Sequence, residues 1–273
     1  MFLAYLFIVG TIIYTVTPIY RIFSLSIKPV GAWFSTQVEL IPKEITFLNY
    51  QTLSSTRFPR WVLNSIIVSS SSTGLTVFVT SMAAFAFAFY NFRAKEKIFL
   101  LVLSSMFVPG VLSAIPLFII FAELKLINTY FSIILPGVAG AFGLFFMRGY
   151  IRGAVPIEIL DSARVDGASE ITIFFRIVLP IIKPGIAALA INSFTGSYND
   201  FFWPLIALSK SDMYTVQLGL SIAQGAVAAG GGVSWDILVA GTMVSVLPVL
   251  TLFALAQKYF VKGLTMGAVK GAG

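Results

Sequence analysis

Apolar residues run through this chain in long unbroken stretches, not in the alternating or one-sided patterns of a soluble fold. A helix needs about 20 mostly apolar residues to cross a hydrocarbon core. Six stretches meet or approach that length: residues 3–27, 62–90, 98–122, 131–147, 186–208 and 236–256. The fourth, 131–147, is short, and Arg148 at its end is expected to snorkel and extend it. The second, 62–90, is long, which implies tilt or a protruding end. The runs are continuous and do not alternate, which excludes a strand barrel. An all-α membrane protein with six transmembrane helices is therefore expected. The first stretch lacks a basic leading region and is too long for a signal-peptide core, so it reads as an uncleaved helix.

Between the spans, the loop 148–185 stands out, long for a connector in a helical bundle. Pro156 suits the first turn of a helix, and Glu158 and Asp161 complement its dipole. Leu160, Ala163 and Gly167 share a face at helical spacing, and Gly167 can end or bend the helix. Arg164, three residues after Asp161, can pair with it or with a partner. Ser169 can cap a second helix carrying an apolar stripe of Ile171, Phe174, Phe175 and Val178. Leu179-Pro180 is expected to end it, and Pro184 to start the fifth span. The residues alone also allow a plain amphipathic element resting on lipid headgroups or on its own bundle.

Composition agrees with the pattern: 58% of residues are hydrophobic and 11% charged, with a mean hydropathy of +0.94. Soluble domains carry about 25% charge. The net charge of +7 suggests topology and not nucleic acid, because the basic residues sit between apolar runs. Segments 91–97, 148–185 and 257–273 hold 11 Lys or Arg; the opposite segments 28–61, 123–130 and 209–235, of similar total length, hold 6. That bias places both termini in the cytoplasm. With no Cys and no His, disulfides, thiolate or imidazole metal sites and His-dependent triads are excluded, and neither a metal nor a catalytic residue is expected. No fixed-period repeat is visible, and the small-residue segment 224–232 reads as a flexible external loop.

Polar residues inside spans point to a bundle interior or a cavity. The fifth span holds Asn192, Ser193, Thr195, Ser197, Tyr198, Asn199 and Asp200. Asn192, Gly196, Asn199 and Trp203 fall on one helical face, a set of amides and an aromatic plate suited to a hydroxyl-rich ligand. Close packing of spans explains several of these residues equally well. Ser69 to Thr73, Thr76, Thr80 and Ser81 in span two read as packing positions. Pro109, Pro116, Pro136 and Pro248 can each kink a helix.

Asp161-Ser162-Ala163, three residues, Gly167, nine residues, then Ile177-Val178-Leu179-Pro180 resembles the EAA signature of permease subunits in binding-protein-dependent ABC importers. Glu158, Asp166, Ala168 and Pro184 are similar to the pattern around it. Asp161 stands where Glu is usual and Ser162 where Ala is usual; both changes keep the carboxylate and the small face. The C-terminal stretch, including Gln257, Lys262, Gly263 and Lys270, resembles the ending of maltose-type sugar-importer permeases. A basic tail touching anionic lipid would look alike.

The resemblance implies a type I ABC importer permease fold with a cytoplasmic coupling helix between helices 4 and 5. Residues 1–59 would form the first helix and an external loop, 60–257 the transmembrane domain, and 258–273 a cytoplasmic tail. It also implies contact of Glu158, Asp161, Ser162, Ala163, Arg164, Asp166, Gly167, Ala168, Ile177, Leu179 and Pro180 with a cytoplasmic ATPase. The tail would touch it too, while Asn192, Gly196, Tyr198, Asn199, Asp200 and Trp203 would line a substrate pathway. Expected partners are a second, different permease, two ABC ATPases that bind ATP and Mg, an external solute-binding protein, a sugar or oligosaccharide, and the lipid of a prokaryotic inner membrane. This chain is expected to hold no cofactor.

No phosphate-binding G-x-x-x-x-G-K-[ST] loop is present, so the energy is expected from another subunit. Two other classes compete. An intramembrane enzyme would use Asp200 with Ser193 or Ser197, but lacks His and a second intramembrane carboxylate. A secondary transporter would use Asp200 for protons, but lacks the internal repeats common in that class.

Overall fold

The computed structural model describes residues 2–31 and 41–269, with side chains described for 3–31 and 41–256. Among the described residues every regular element is helical. Leu3–Ser26, Phe58–Phe89 and Trp235–Ala256 are single helices long and apolar enough to cross a membrane. The third and fourth expected spans are each a pair of helices bent at a break, and a further bent pair, Glu170–Ile181 with Lys183–Asn199, joins the second arm of the 148–185 loop to the start of the expected fifth span.

The causes of the breaks are local. In the third span, α4 (Lys95–Ser104) and α5 (Gly110–Glu123) meet at 103°. Val108 is extended, as residues before proline tend to be, and Pro109 follows in the same region. Pro116 and Pro248, by contrast, lie inside continuous helices. In the fourth span a 3-10 turn at Leu135–Gly137 separates α6 (Tyr130–Ile134) from α7 (Ala141–Ala154), with a 45° bend. In the fifth, α11 (Lys183–Asn199) stops at extended Asp200, and a short helix, α12 (Phe202–Ala207), follows.

The chain forms two compact units. The first contains Met1–Ser65 and Lys210–Pro248. Within it the first helix, α1 (Phe2–Ser26), exposes its apolar side chains from Leu3 to Tyr20. Its end is anchored: Asn49 in α2 (Leu48–Ser54) donates to the carbonyls of Ser26 and Lys28, and Tyr50 bonds Ser26. Asn64, near the start of α3 (Phe58–Phe89), donates to the carbonyls of Asp212 and Tyr214, and Ser65 accepts the Val216 N–H at 2.7 Å. The stretch 216–228 is helix α13, so the first part of the expected flexible loop 224–232 is regular structure. Its small residues serve close packing as well: a Cβ at Gly219 would collide with the Trp61 ring.

The second unit contains Ile66–Ser209 and Val249–Gly273. Its core gathers Ala84, Phe85 and Ala88 of α3, Phe99 of α4, and Leu144, Met147 and Ile151 of α7. The hydroxyl residues of α3 divide: Ser70 and Ser71 are exposed and do not pack as expected, and the others are buried or half-buried. Ser69, Ser72, Thr76, Thr80 and Ser81 are buried, and Thr76 donates to the Gly137 carbonyl at 3.2 Å.

Arg148 corrects the sequence reading. Helix α7 continues past it to Ala154, and its side chain does not snorkel but is buried, 9% exposed. It pairs with Glu96, donates to the Phe87 carbonyl at 3.2 Å and stacks 3.9 Å from the Phe99 ring centroid. Glu96 and Phe99 sit on one face of α4, three positions apart, and place a carboxylate and a ring for the same guanidinium.

The last helix, α14 (Trp235–Val269), carries its backbone through most of the expected tail. Gln257, Lys262, Gly263 and Lys270 lie outside the residues whose side chains are described.

Candidate functional site: the loop helices and a hydroxyl-lined cavity

The 148–185 loop folds as two helical arms with the boundaries its caps specify. Pro156 precedes α8 (Ile157–Val165). Gly167 adopts φ +80°, and the Ala168 N–H returns to the Ala163 carbonyl, closing the helix with a left-handed cap. Ser169 then accepts the Thr172 N–H and caps α9 (Glu170–Ile173). The second arm continues as a π-helical turn at Phe174–Val178 and a last turn, α10, at Leu179–Ile181. Pro180 has no N–H to give and crowds the carbonyl four residues earlier, which accounts for the widened turn before it. The arm then meets α11 at 81°.

The wider turn changes which side faces inward. Ile173, Phe174 and Val178 are buried, whereas Ile171 and Phe175 are exposed, so the expected apolar stripe is corrected at two of its four positions. On α8, Leu160 and Ala163 pack into the core of the second unit. Ala163 is therefore part of the chain's own interior and not of its outer face. Ala168, Ile177 and Leu179 pack against the same core, half-buried. The outer face holds Glu158, Asp161, Ser162, Asp166 and Gly167, together with Ile157, Ile159 and Val165; Pro180 on the second arm is also exposed. Val165 is 87% exposed, which a β-branched apolar side chain does not favour without a cover.

Four side chains tie the loop to the bundle. Arg164 donates to Asp161 at 2.8 Å, as its spacing suggested, and to Glu170 at 2.8 Å. The Tyr90 hydroxyl donates to the other Glu170 oxygen at 2.7 Å. The hydrogen bonds from Arg164, and then that from Tyr90, hold the Glu170 carboxyl below the usual carboxylate range. Burial, and then Glu170, push the Tyr90 phenol up to about 12. Tyr90 and Glu170 were missed in the sequence; a lone Tyr and a lone Glu far apart in the chain carry no pairing signal.

A cavity of about 490 Å³ opens within the second unit. Ser72 and Thr76 of α3, Ser193, Gly196 and Ser197 of α11, and Asp200 and Trp203 line it, with Ala114, Leu117 and Ile133 as apolar wall. Of the six expected pathway residues, three meet here: Gly196, Asp200 and Trp203. Asn192 lies on a separate hollow with Phe142, Phe146 and Thr195. Tyr198 is buried, stacked on Phe194 with centroids 5.8 Å apart, and Asn199 is exposed away from the cavity. The single-face stripe fails for two reasons: the face of α11 that meets the cavity is that of Ser193, Gly196 and Ser197, to one side of Asn192 and Asn199, and the helix ends at Asn199, before Trp203. Asp200 accepts the Trp203 N–H at 3.4 Å, and the Trp203 indole N–H donates to the Ser132 carbonyl at 2.7 Å. Among the described residues no cluster of three or more acidic side chains could hold a metal ion.

Known proteins with this pattern are membrane transport components. The chain is 38% identical to the arabinooligosaccharides transport system permease protein AraQ of Bacillus subtilis, over 93% of this chain and 90% of that one. It is 31% identical to the galactooligosaccharides transport system permease protein GanQ of the same organism, over 98% and 95%. The fold matches a chain of a bacterial ABC transporter involved in the import of the acidic polysaccharide alginate, with a TM-score of 0.83, 23% identity and 95% of each chain covered. Residues 53–266 match the family described as binding-protein-dependent transport system inner membrane component. The chain belongs to that family.

Proposed function

We propose that this chain is one membrane-spanning half of an ATP-driven importer for a sugar or oligosaccharide. A second, different permease would complete the pathway. Two ABC ATPases would bind ATP and Mg and grip this chain through residues 158–180, and an external binding protein would deliver the sugar. Both termini would lie in the cytoplasm of a prokaryotic cell, with the tail around Gln257, Lys262, Gly263 and Lys270 reaching the ATPase.

The observation that carries this reading is the two-faced loop. Its inner face is fixed into the bundle core through Leu160, Ala163, Ile173, Phe174 and Val178, while apolar Ile157, Ile159 and Val165 point outward beside acidic residues. A helix rigid against its own spans and apolar on its free side can transmit a partner's closure into rotation of those spans. The relatives' names, for arabino- and galactooligosaccharides, support a saccharide. The mix of hydroxyls, one carboxylate and an indole in the cavity is chemistry that suits one. The roles of Glu158, Asp161, Ser162 and Asp166 would be to pair with cationic groups around the ATPase cleft. Gly167 would let the chain turn back beneath it.

The test is uptake of an arabinooligosaccharide into vesicles holding the complete assembly. Val165→Arg is expected to abolish uptake while leaving the chain folded, because Val165 touches little of its own bundle. Normal uptake by that variant would overturn docking at this face.

A further inference from the structure

The charge inventory of the cavity is lopsided. Its hydroxyls on Ser72, Thr76, Ser193 and Ser197 can donate or accept. Asp200 is the one charged side chain among the described lining residues, and no Lys or Arg is among them to offset it. The Trp203 indole N–H is already engaged by Ser132, so the ring offers an apolar face and no donor.

We propose that Asp200 acts as a specificity-determining charge, favouring neutral hydroxyl-rich solutes in this cavity and disfavouring those bearing carboxylate or sulfate groups. This rests on reading the cavity as part of a saccharide path. An ionised carboxylate accepts hydrogen bonds and donates none, so sugar hydroxyls satisfy it. A uronate brought to the same place meets a like charge. The apolar wall of Ala114, Leu117 and Ile133 strengthens that repulsion relative to water. Asp200 is also held in position: its N–H reaches the Ser197 carbonyl, and its carboxylate caps the turn at Trp203. Turning aside to relieve the repulsion would break the contact with Trp203.

The chain contains no cysteine, so Ser197→Cys would place a single thiol in the cavity, three positions before Asp200. The full chain in lipid nanodiscs is treated with a cationic and an anionic methanethiosulfonate reagent, and the ratio of the two rates is measured. The ratio cancels changes in the thiol's own reactivity. Ala229→Cys, on an exposed turn and not among the residues that line the cavity, gives the reference ratio. The cationic preference at position 197 is expected to exceed the reference by roughly tenfold, and Asp200→Asn to remove most of that excess. Asn keeps an oxygen that can cap Trp203, so the fold is preserved. A ratio equal to the reference, a ratio unchanged by Asp200→Asn, or a thiol that reacts with neither reagent would each overturn the proposal. The measurement needs neither ATP nor partners, so failure of the importer reading would show separately, as lost ATP-driven uptake with the labelling ratio intact.

Discussion

Tyr90 and Glu170, far apart in the chain, are joined by a hydrogen bond of 2.7 Å. It connects the residue that follows α3 to the start of the second loop arm, and through Glu170 to Arg164 and Asp161 on α8. Removing the hydroxyl with Tyr90→Phe leaves the ring's packing intact and one carboxylate oxygen without this donor. The loop should lose about 1 kcal/mol of anchoring. Faster hydrogen exchange across 157–178, with the rest of the bundle unchanged, would register it.

The same network sets a pH window. The Glu170 carboxyl sits below its ordinary value of 4.5, so its contribution is fully present above that value and is lost as pH falls through the lowered one. Tyr90 is raised from 10.0 to about 12, so its contribution is fully present below pH 10 and fades as pH rises toward 12. Loop protection should therefore be flat between these limits and decline on both sides. Glu170→Gln should weaken protection in the plateau and remove most of the acid limb, as followed by exchange or limited proteolysis against pH.

Arg148 and Glu96 should respond unequally to substitution. The guanidinium is buried and makes three kinds of contact, whereas the Glu96 side chain is 62% exposed. Arg148→Lys loses the planar fork and the stacking on Phe99, and should cost about 1–3 kcal/mol. Glu96→Gln should cost less than about 1 kcal/mol, because water resolvates the site. Thermal unfolding of the two variants in the same detergent checks the order.

Gly185 is a close-approach position between α11 and α7. A Cβ there would stand 2.6 Å from the Tyr150 ring. Gly185→Ala should destabilise by about 1–3 kcal/mol through overpacking. Adding Tyr150→Ala should recover part of the loss, giving a non-additive double-mutant cycle in thermal unfolding.

The loop's helix ends were readable because Pro156, Gly167 and Ser169 act on their own backbones, and such local chemistry survives in any tertiary setting. Arg148 was not, because its neighbours Glu96 and Phe99 come from another helix that periodicity cannot place. A regular helical period places Ile171 and Phe175 on the inner stripe. The π-helical turn at Phe174–Val178 altered that period and brought Ile173 inside instead. In the fifth span, part of the polar run 192–200 lines the cavity: Ser193, Gly196, Ser197 and Asp200. Periodicity groups Asn192, Gly196, Asn199 and Trp203 on one face but does not say which face of α11 meets its neighbours, nor that the extended Asp200 divides α11 from α12. Ser193 and Ser197, one turn apart, line the cavity, and Asn192 and Asn199 do not.

Docking of a motor subunit on α8, as proposed, would cover the outer face of that helix. With no native cysteine in the chain, Val165→Cys gives one thiol on that face. In the intact assembly this thiol is expected to be shielded from a soluble maleimide and to cross-link to an ATPase subunit, and to become freely reactive when the ATPases are stripped away. Equal labelling with and without the ATPases, and no cross-link, would contradict it.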